Sequence, residues 1–201
     1  VLMRGTPEAV TYYSLLKAEI EERVAQQIAA VPGERFRFYW EGPPIWCALR
    51  PLAELFLNNG VAIVASTYCG IFTLDGLDPK NPIESLARTY TSIFHNRSDA
   101  YKEDWLVSMF REYGVDGVLY HDGRTAPEHS NVRFGLEVRL RRATGLQAIV
   151  VEADTHDLRL FSQDRLERKL RDFIEIHAAS NGSMPPDVPV PDELRNGRAH
   201  G

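Results

Sequence analysis

Four short apolar runs, each leading towards a helical segment, constrain this chain more than any other feature of its sequence. Val61-Ala62-Ile63-Val64-Ala65 is apolar without interruption, as expected of a strand covered on both faces. Phe36 to Trp40, which is aromatic-rich, Val115 to Tyr120 and Ala148 to Val151 are strand-sized runs as well. Between them lie amphipathic stretches. Trp46 to Asn59 is closed by Gly60, Asn81-Pro82-Ile83-Glu84 opens a short helix, and Tyr101 to Tyr113 is closed by Gly114. Ser130 reads as the cap of a helix ending at Thr144 and Gly145, and Ser162 or Asp164 starts a last helix to about His177. Strands alternating with such helices imply an α/β fold, an open and mostly parallel four-stranded sheet with helices on both faces. A long helix comes first: Thr6-Pro7-Glu8 has a capping hydroxyl, a proline and an acid in the right order, and the pattern runs from Ala9 to Val31 before Pro32-Gly33. The expected division is a helix and linker over 1–33, the α/β domain over 34–178 and a disordered Pro- and Gly-rich tail over 179–201.

Several function classes are disfavoured at once. A net charge of −5 over 201 residues carries no basic stripe for nucleic acid. No apolar run approaches the length of a membrane span, and no signal peptide is visible. The two cysteines, Cys47 and Cys69, lack both C-x-x-C and metal-type spacing, which fits a reducing cytoplasm. The chain starts at Val1 and enters a helix within a few residues, so a fragment or a processed piece is expected. Glycine-rich dinucleotide loops, a Walker lysine loop and a G-x-S-x-G elbow are all missing from the sequence.

In a parallel sheet, ligands bind beyond the carboxyl ends of the strands at a topological switch point. That rule selects loops 41–46, 67–73, 121–130 and 152–157. In the first, Trp40 and Trp46 flank Glu41 while Gly42 and two prolines fix the backbone. Glu41 is either a ligand-site carboxylate or an acid near the next helix N-terminus. Tyr68 and Cys69 follow the second strand, and Cys69 reads as a nucleophile or ligand on one account and a small buried apolar residue on the other. His121, Arg124, His129 and Ser130 concentrate titratable and polar groups after the third strand. A turn at Asp122-Gly123 explains only part of that loop, and a third clear metal ligand is missing. Glu152 and Asp154 follow the fourth strand, where the two acids suit a cation or a hydroxyl and Asp154 equally suits a turn cap.

Taken in order, FRFYWEGPPIW, VAIVASTYCGIF, YGVDGVLYHDGRTAPEHS and QAIVVEADTHDLRLFSQDRLERKLRDFIE resemble the C-terminal part of one subunit of the 2-hydroxyacyl-CoA dehydratase and benzoyl-CoA reductase family. The resemblance spans Phe36 to Glu175. It implies a Rossmann/flavodoxin-like domain, one half of an acyl-CoA site, and a related subunit as partner. It also implies an ATP-hydrolysing activator that delivers low-potential electrons for radical dehydration or aromatic ring reduction. On that resemblance His121 and Arg124 are the expected catalytic residues, with Trp40, Glu41, Trp46, Tyr68 and Ser130 lining the acyl-CoA site. The family's loop places a cluster-ligating cysteine after the small polar residue that Thr125 matches, and here Ala126 stands in its place. Alanine cannot bind iron. A four-iron, four-sulfur cluster is therefore expected in the partner or in a fuller subunit, with none bound by this chain alone. Val132-Arg133 and Arg168-Lys169 also depart from the family pattern. Two other readings stay open: a cluster-less structural or regulatory subunit, and a flavodoxin-like binder of another ligand.

Overall fold

The structure, a computed structural model, describes Met3, residues 5–71, 74–125, Pro127 and residues 130–180, the last three by their backbone alone. Residues 181–201 of the tail expected to be disordered, and Ala126 and His129 within the third loop, lie outside the described residues, whereas 179–180 continue the last helix.

Helix α1 spans Pro7–Ala25, with Thr6 accepting the Ala9 N–H as its cap. It ends sooner than the Val31 expected from periodicity. Gln27 adopts φ 58°, and Ile28 N–H reaches back to the Arg23 carbonyl at 2.8 Å, so the orphan carbonyls of the last turn are satisfied before Pro32. Nothing on α1 is buried.

The sheet consists of β1 (Phe36–Glu41), β2 (Val61–Ser66), β3 (Gly117–Gly123) and β4 (Gln147–Ala153). All are parallel, in the order β2-β1-β3-β4. Helices α2 (Leu49–Asn58) and α7 (Gln163–Ser180) cover one face; α5 (Asp99–Glu112) and α6 (Leu136–Thr144) cover the other. Alternation along β1 decides which residue feeds which layer. Phe36, Phe38 and Trp40 pack with Leu52, Phe56, Leu170 and Phe173, while Tyr39 packs with Leu106, Phe110 and Tyr120. Gly117 lies where the rings of Phe38 and Phe173 close over β3; a Cβ there would sit 2.7–2.8 Å from their ring atoms.

Three expectations need correction. The strand Val61 to Ala65 is not covered on both faces. It is an edge strand, and Ile63 is 38% exposed because α2 leaves the outer half of β2 open. The helix expected from Trp46 begins as a 3-10 turn (Trp46–Ala48) and turns α-helical only at Leu49. Ser130 caps no helix: a 3-10 turn (Asn131–Phe134) and left-handed Gly135 precede α6, and the Ser130 hydroxyl is engaged elsewhere. Two helices complete the β2–β3 connection, α3 (Thr67–Gly70) and α4 (Pro82–Ser92). No described helix is long and apolar enough to cross a membrane.

Candidate functional site

Strand order fixes where the site lies. From β1 the chain leaves towards β2 on one side, and from β3 it leaves towards β4 on the other. The loops after Glu41 and Gly123 therefore diverge over the β1–β3 junction, the switch point of an open α/β sheet. Adjacent side chains on a strand point to opposite faces, so this edge carries two separate polar clusters.

On the α2/α7 face, the loop after β1 leans across the end of β3. Gly42 has φ +103°, and a Cβ on it would stand 3.0 Å from the His121 carbonyl oxygen, so only glycine permits this crossing. The Pro43 carbonyl then accepts two hydrogen bonds, from Trp40 Nε1 at 3.3 Å and from His121 Nδ1 at 2.6 Å. Because a carbonyl only accepts, Nδ1 carries the proton. His121 Nε2 is left as a lone pair, buried and without a hydrogen-bond partner. Burial lowers the histidine's proton affinity; the carbonyls of Pro43 and, to a smaller extent, Ala153, with the charges of Asp154 and Asp122, oppose that only partly. Farther along, Trp46 N–H donates to the Thr155 carbonyl (2.9 Å) and Arg124 N–H to the Ala153 carbonyl (3.0 Å), which joins the β1, β3 and β4 loops. Thr125 donates to the Asp154 carboxylate, which also accepts from the His156 and Asp157 N–H groups. These bonds, Thr125's first, hold Asp154 well below the usual carboxylate range despite its burial.

On the α5/α6 face, Glu41 is only 3% exposed. It does not lie at the next helix N-terminus. Its carboxylate accepts from the Thr67 hydroxyl and from Asn131 Nδ2 (2.6 Å), residues that follow β2 and β3. Thr67 has its hydrogen on Glu41, so the Tyr39 hydroxyl must donate to Thr67 Oγ1 at 2.9 Å. One chain of bonds thus ties three strand ends together. Burial raises the Glu41 carboxyl above its ordinary value, against the pull of Thr67, Asn131 and Lys102. Burial also raises Tyr39 and Tyr120, and the Glu41 charge adds to both.

The remaining residues singled out in the sequence divide between these clusters and the rim. Trp46 and Tyr68 meet edge to face with centroids 5.5 Å apart, and Trp40 and His121 lie 6.4 Å apart. Arg124 is exposed and makes no ion pair with a described residue. Ser130 is buried, accepting from Gly123 N–H (2.8 Å) and returning a bond to its carbonyl (3.3 Å), so it shapes the loop from within. Cys69 is exposed rather than a buried apolar residue, because it sits on the outer side of the short helix α3; Cys47 is exposed too. Among the described residues no group of three His, Cys, Asp or Glu is placed to hold a metal ion. Sequence reading missed Tyr39, Thr67 and Asn131, and gave Thr125 only as a match to the family loop. The available signal was a polar residue next to each strand end, since a parallel sheet brings those ends side by side. Chemically, the edge offers an exposed guanidinium for an anion or carbonyl oxygen and an aromatic pair for an apolar group, with the unpaired His121 Nε2 enclosed beneath them.

The chain matches the family model of the 2-hydroxyglutaryl-CoA dehydratase D-component over residues 1–177. It is similar to a benzoyl-CoA reductase subunit of Thauera aromatica, at 29% identity over 86% of this chain and 42% of that relative. It is also similar to the alpha subunit of (R)-2-hydroxyglutaryl-CoA dehydratase from Acidaminococcus fermentans, at 26% identity over 90% of this chain and 37% of the relative. A third relative is the (R)-2-hydroxyisocaproyl-CoA dehydratase alpha subunit of Clostridioides difficile (26% identity; 88% and 43% covered). The chain therefore spans less than half the length of the curated relatives it matches.

Proposed function

Because the chain belongs to the 2-hydroxyglutaryl-CoA dehydratase D-component family, we propose that it is part of a 2-hydroxyacyl-CoA dehydratase or an aromatic acyl-CoA reductase and contributes a C-terminal-type domain to the acyl-CoA site. The observation that carries this reading is the strand order. It brings residues 42–46 and 124–125, from two of the segments on which the family resemblance rests, to a single switch point. There, Arg124 donates to the thioester oxygen or another anionic group of the ligand. Trp46 and Tyr68 pack along it. His121, with Nδ1 tied to Pro43, accepts a hydrogen bond or a proton at its buried Nε2 only where ligand binding displaces the loop that covers it, and is not a proton donor while neutral. Glu41 and Ser130, both buried and fully engaged within the chain, brace the loops.

The donor set does not fit a resident four-iron, four-sulfur cluster. Such a cluster needs cysteine thiolates, whereas the sequence has Cys47 and Cys69 alone and alanine at position 126. Any cluster in the assembly draws its thiolates from a related subunit or from another part of a longer chain, with an ATP-dependent activator as electron source. Ala126 also supports the second reading, a structural subunit without catalysis of its own. Anaerobic iron analysis of the chain alone and with a co-expressed family subunit separates the two. The acyl-CoA reading is tested with Arg124→Ala in that co-expressed complex. Acyl-CoA affinity should fall roughly tenfold, the scale of one charge-assisted hydrogen bond. Unchanged affinity and turnover would remove Arg124 and the switch point from the site.

A further inference from the structure

An apolar cleft of about 260 Å³ opens between α2 and the edge strand β2. Trp40, Ile45, Leu52, Phe56, Ile63 and Ser66 form most of its wall. It reaches the same carboxyl edge of the sheet as the candidate site, since Ile45 belongs to the loop after β1 and Ser66 ends β2. Trp40 belongs to both: its indole borders the cleft and its ring faces His121. Trp46, next in sequence to Ile45, and Tyr68, two residues after Ser66, meet ring to ring.

The chemistry of the wall is one-sided. Among the described residues, no lysine, arginine or histidine lines the cleft. Trp40 Nε1 donates to the Pro43 carbonyl and Ser66 Oγ accepts the Cys69 N–H, which leaves the Ser66 hydroxyl hydrogen as the one side-chain donor on the wall. A carboxylate placed inside would lose its hydration with no cation to replace it and at most one neutral hydroxyl, Ser66, to donate to it. An aromatic ring or branched alkyl group loses nothing comparable and gains apolar contact; a dry cavity of about 150 Å³ is enough to take up benzene.

We propose that this cleft seats the acyl group and selects an uncharged apolar one, aromatic or branched aliphatic, over an acyl group that ends in a second carboxylate. The proposal rests on the acyl-CoA reading above and specifies its substrate class.

Calorimetric titration of the chain in complex with a co-expressed family subunit, using CoA, benzoyl-CoA and glutaryl-CoA, tests it. Benzoyl-CoA should bind roughly tenfold or more tightly than CoA, and glutaryl-CoA no better than CoA. Ala53 lines the cleft from an exposed position on α2, so Ala53→Phe fills the space without entering the core; a retained melting temperature checks that the variant is folded. It should reduce benzoyl-CoA to the affinity of CoA. Ile63→Lys places an ammonium at the 38%-exposed rim and should raise glutaryl-CoA above CoA. If benzoyl-CoA and glutaryl-CoA bind equally, or Ala53→Phe leaves the benzoyl preference intact, the cleft is not the acyl seat while the acyl-CoA reading stands. If neither CoA nor any thioester binds, both fall.

Discussion

Replacing Gly42 by alanine tests the link between backbone geometry and the state of His121. At φ +103° an L-residue is strained, by about 1–3 kcal/mol. The new methyl would also meet the His121 carbonyl oxygen at 3.0 Å and its Cβ at 3.4 Å. The first of these is backbone in the middle of a sheet, so relaxation falls on the 42–46 loop, and such overpacking adds about 1 kcal/mol or more. Against this, alanine restricts the unfolded chain and returns about 0.4–1 kcal/mol. The net expectation is a loss of about 2 kcal/mol or somewhat more. In urea this lowers the midpoint by about 1 M, with an m-value near 2 kcal/mol/M, and the melting temperature falls by about 4–8 °C. Gly145→Ala is the control: its φ of +73° carries backbone strain too, but nothing lies within 4 Å of the added Cβ. The excess loss at Gly42 therefore measures the contact with His121. Displacing the loop also moves the Pro43 carbonyl away from Nδ1, so the histidine's fixed tautomer should become mixed, as read from its ring ¹⁵N shifts. Equal stabilities for the two variants, or an unchanged tautomer in Gly42→Ala, would refute the reasoning.

Two further outcomes follow from the buried titratable groups. Burial lowers His121's proton affinity from the ordinary 6.5, so the unfolded chain protonates first as pH falls. Stability is therefore lost as pH drops below about 6.5 towards the depressed folded value, and His121→Gln should flatten that segment of a pH–urea series. A parent profile flat over the same window would show that His121 is not held neutral. Glu41 has the opposite sign: its raised folded value means that its contribution is present below about 4.5 and lost as pH rises. Glu41→Gln should accordingly match the parent in acid and exceed it increasingly above about 4.5. Glu41→Leu leaves Thr67 and Asn131 without an acceptor and should cost about 1–3 kcal/mol at any pH, in the same urea assay. A leucine variant as stable as the glutamine variant would dismiss the network.

Much of the fold was legible in the sequence itself, because its signals are local. The cap and proline at Thr6-Pro7 start α1, the left-handed glycines at 60, 114 and 145 close helices, and strand-length apolar runs recur between amphipathic stretches. Each depends on residues within about one turn of one another, so the sequence alone determined a four-stranded α/β sheet and the loops that leave its carboxyl edge. Strand order was not local, and it made β2 an edge, exposed Ile63 and opened the apolar cleft beside Trp40. The partners of the polar groups were not local either. Glu41 meets Thr67 and Asn131 from 26 and 90 residues away, and His121 meets Pro43 from 78. A strand presents adjacent side chains to opposite faces, so Trp40 and Glu41, neighbours in sequence, entered different layers. The sequence placed a carboxylate and an imidazole at the edge of the sheet. Only tertiary structure decided that the carboxylate is buried as a brace and that the imidazole keeps a bare nitrogen, because both follow from which backbone crosses which strand.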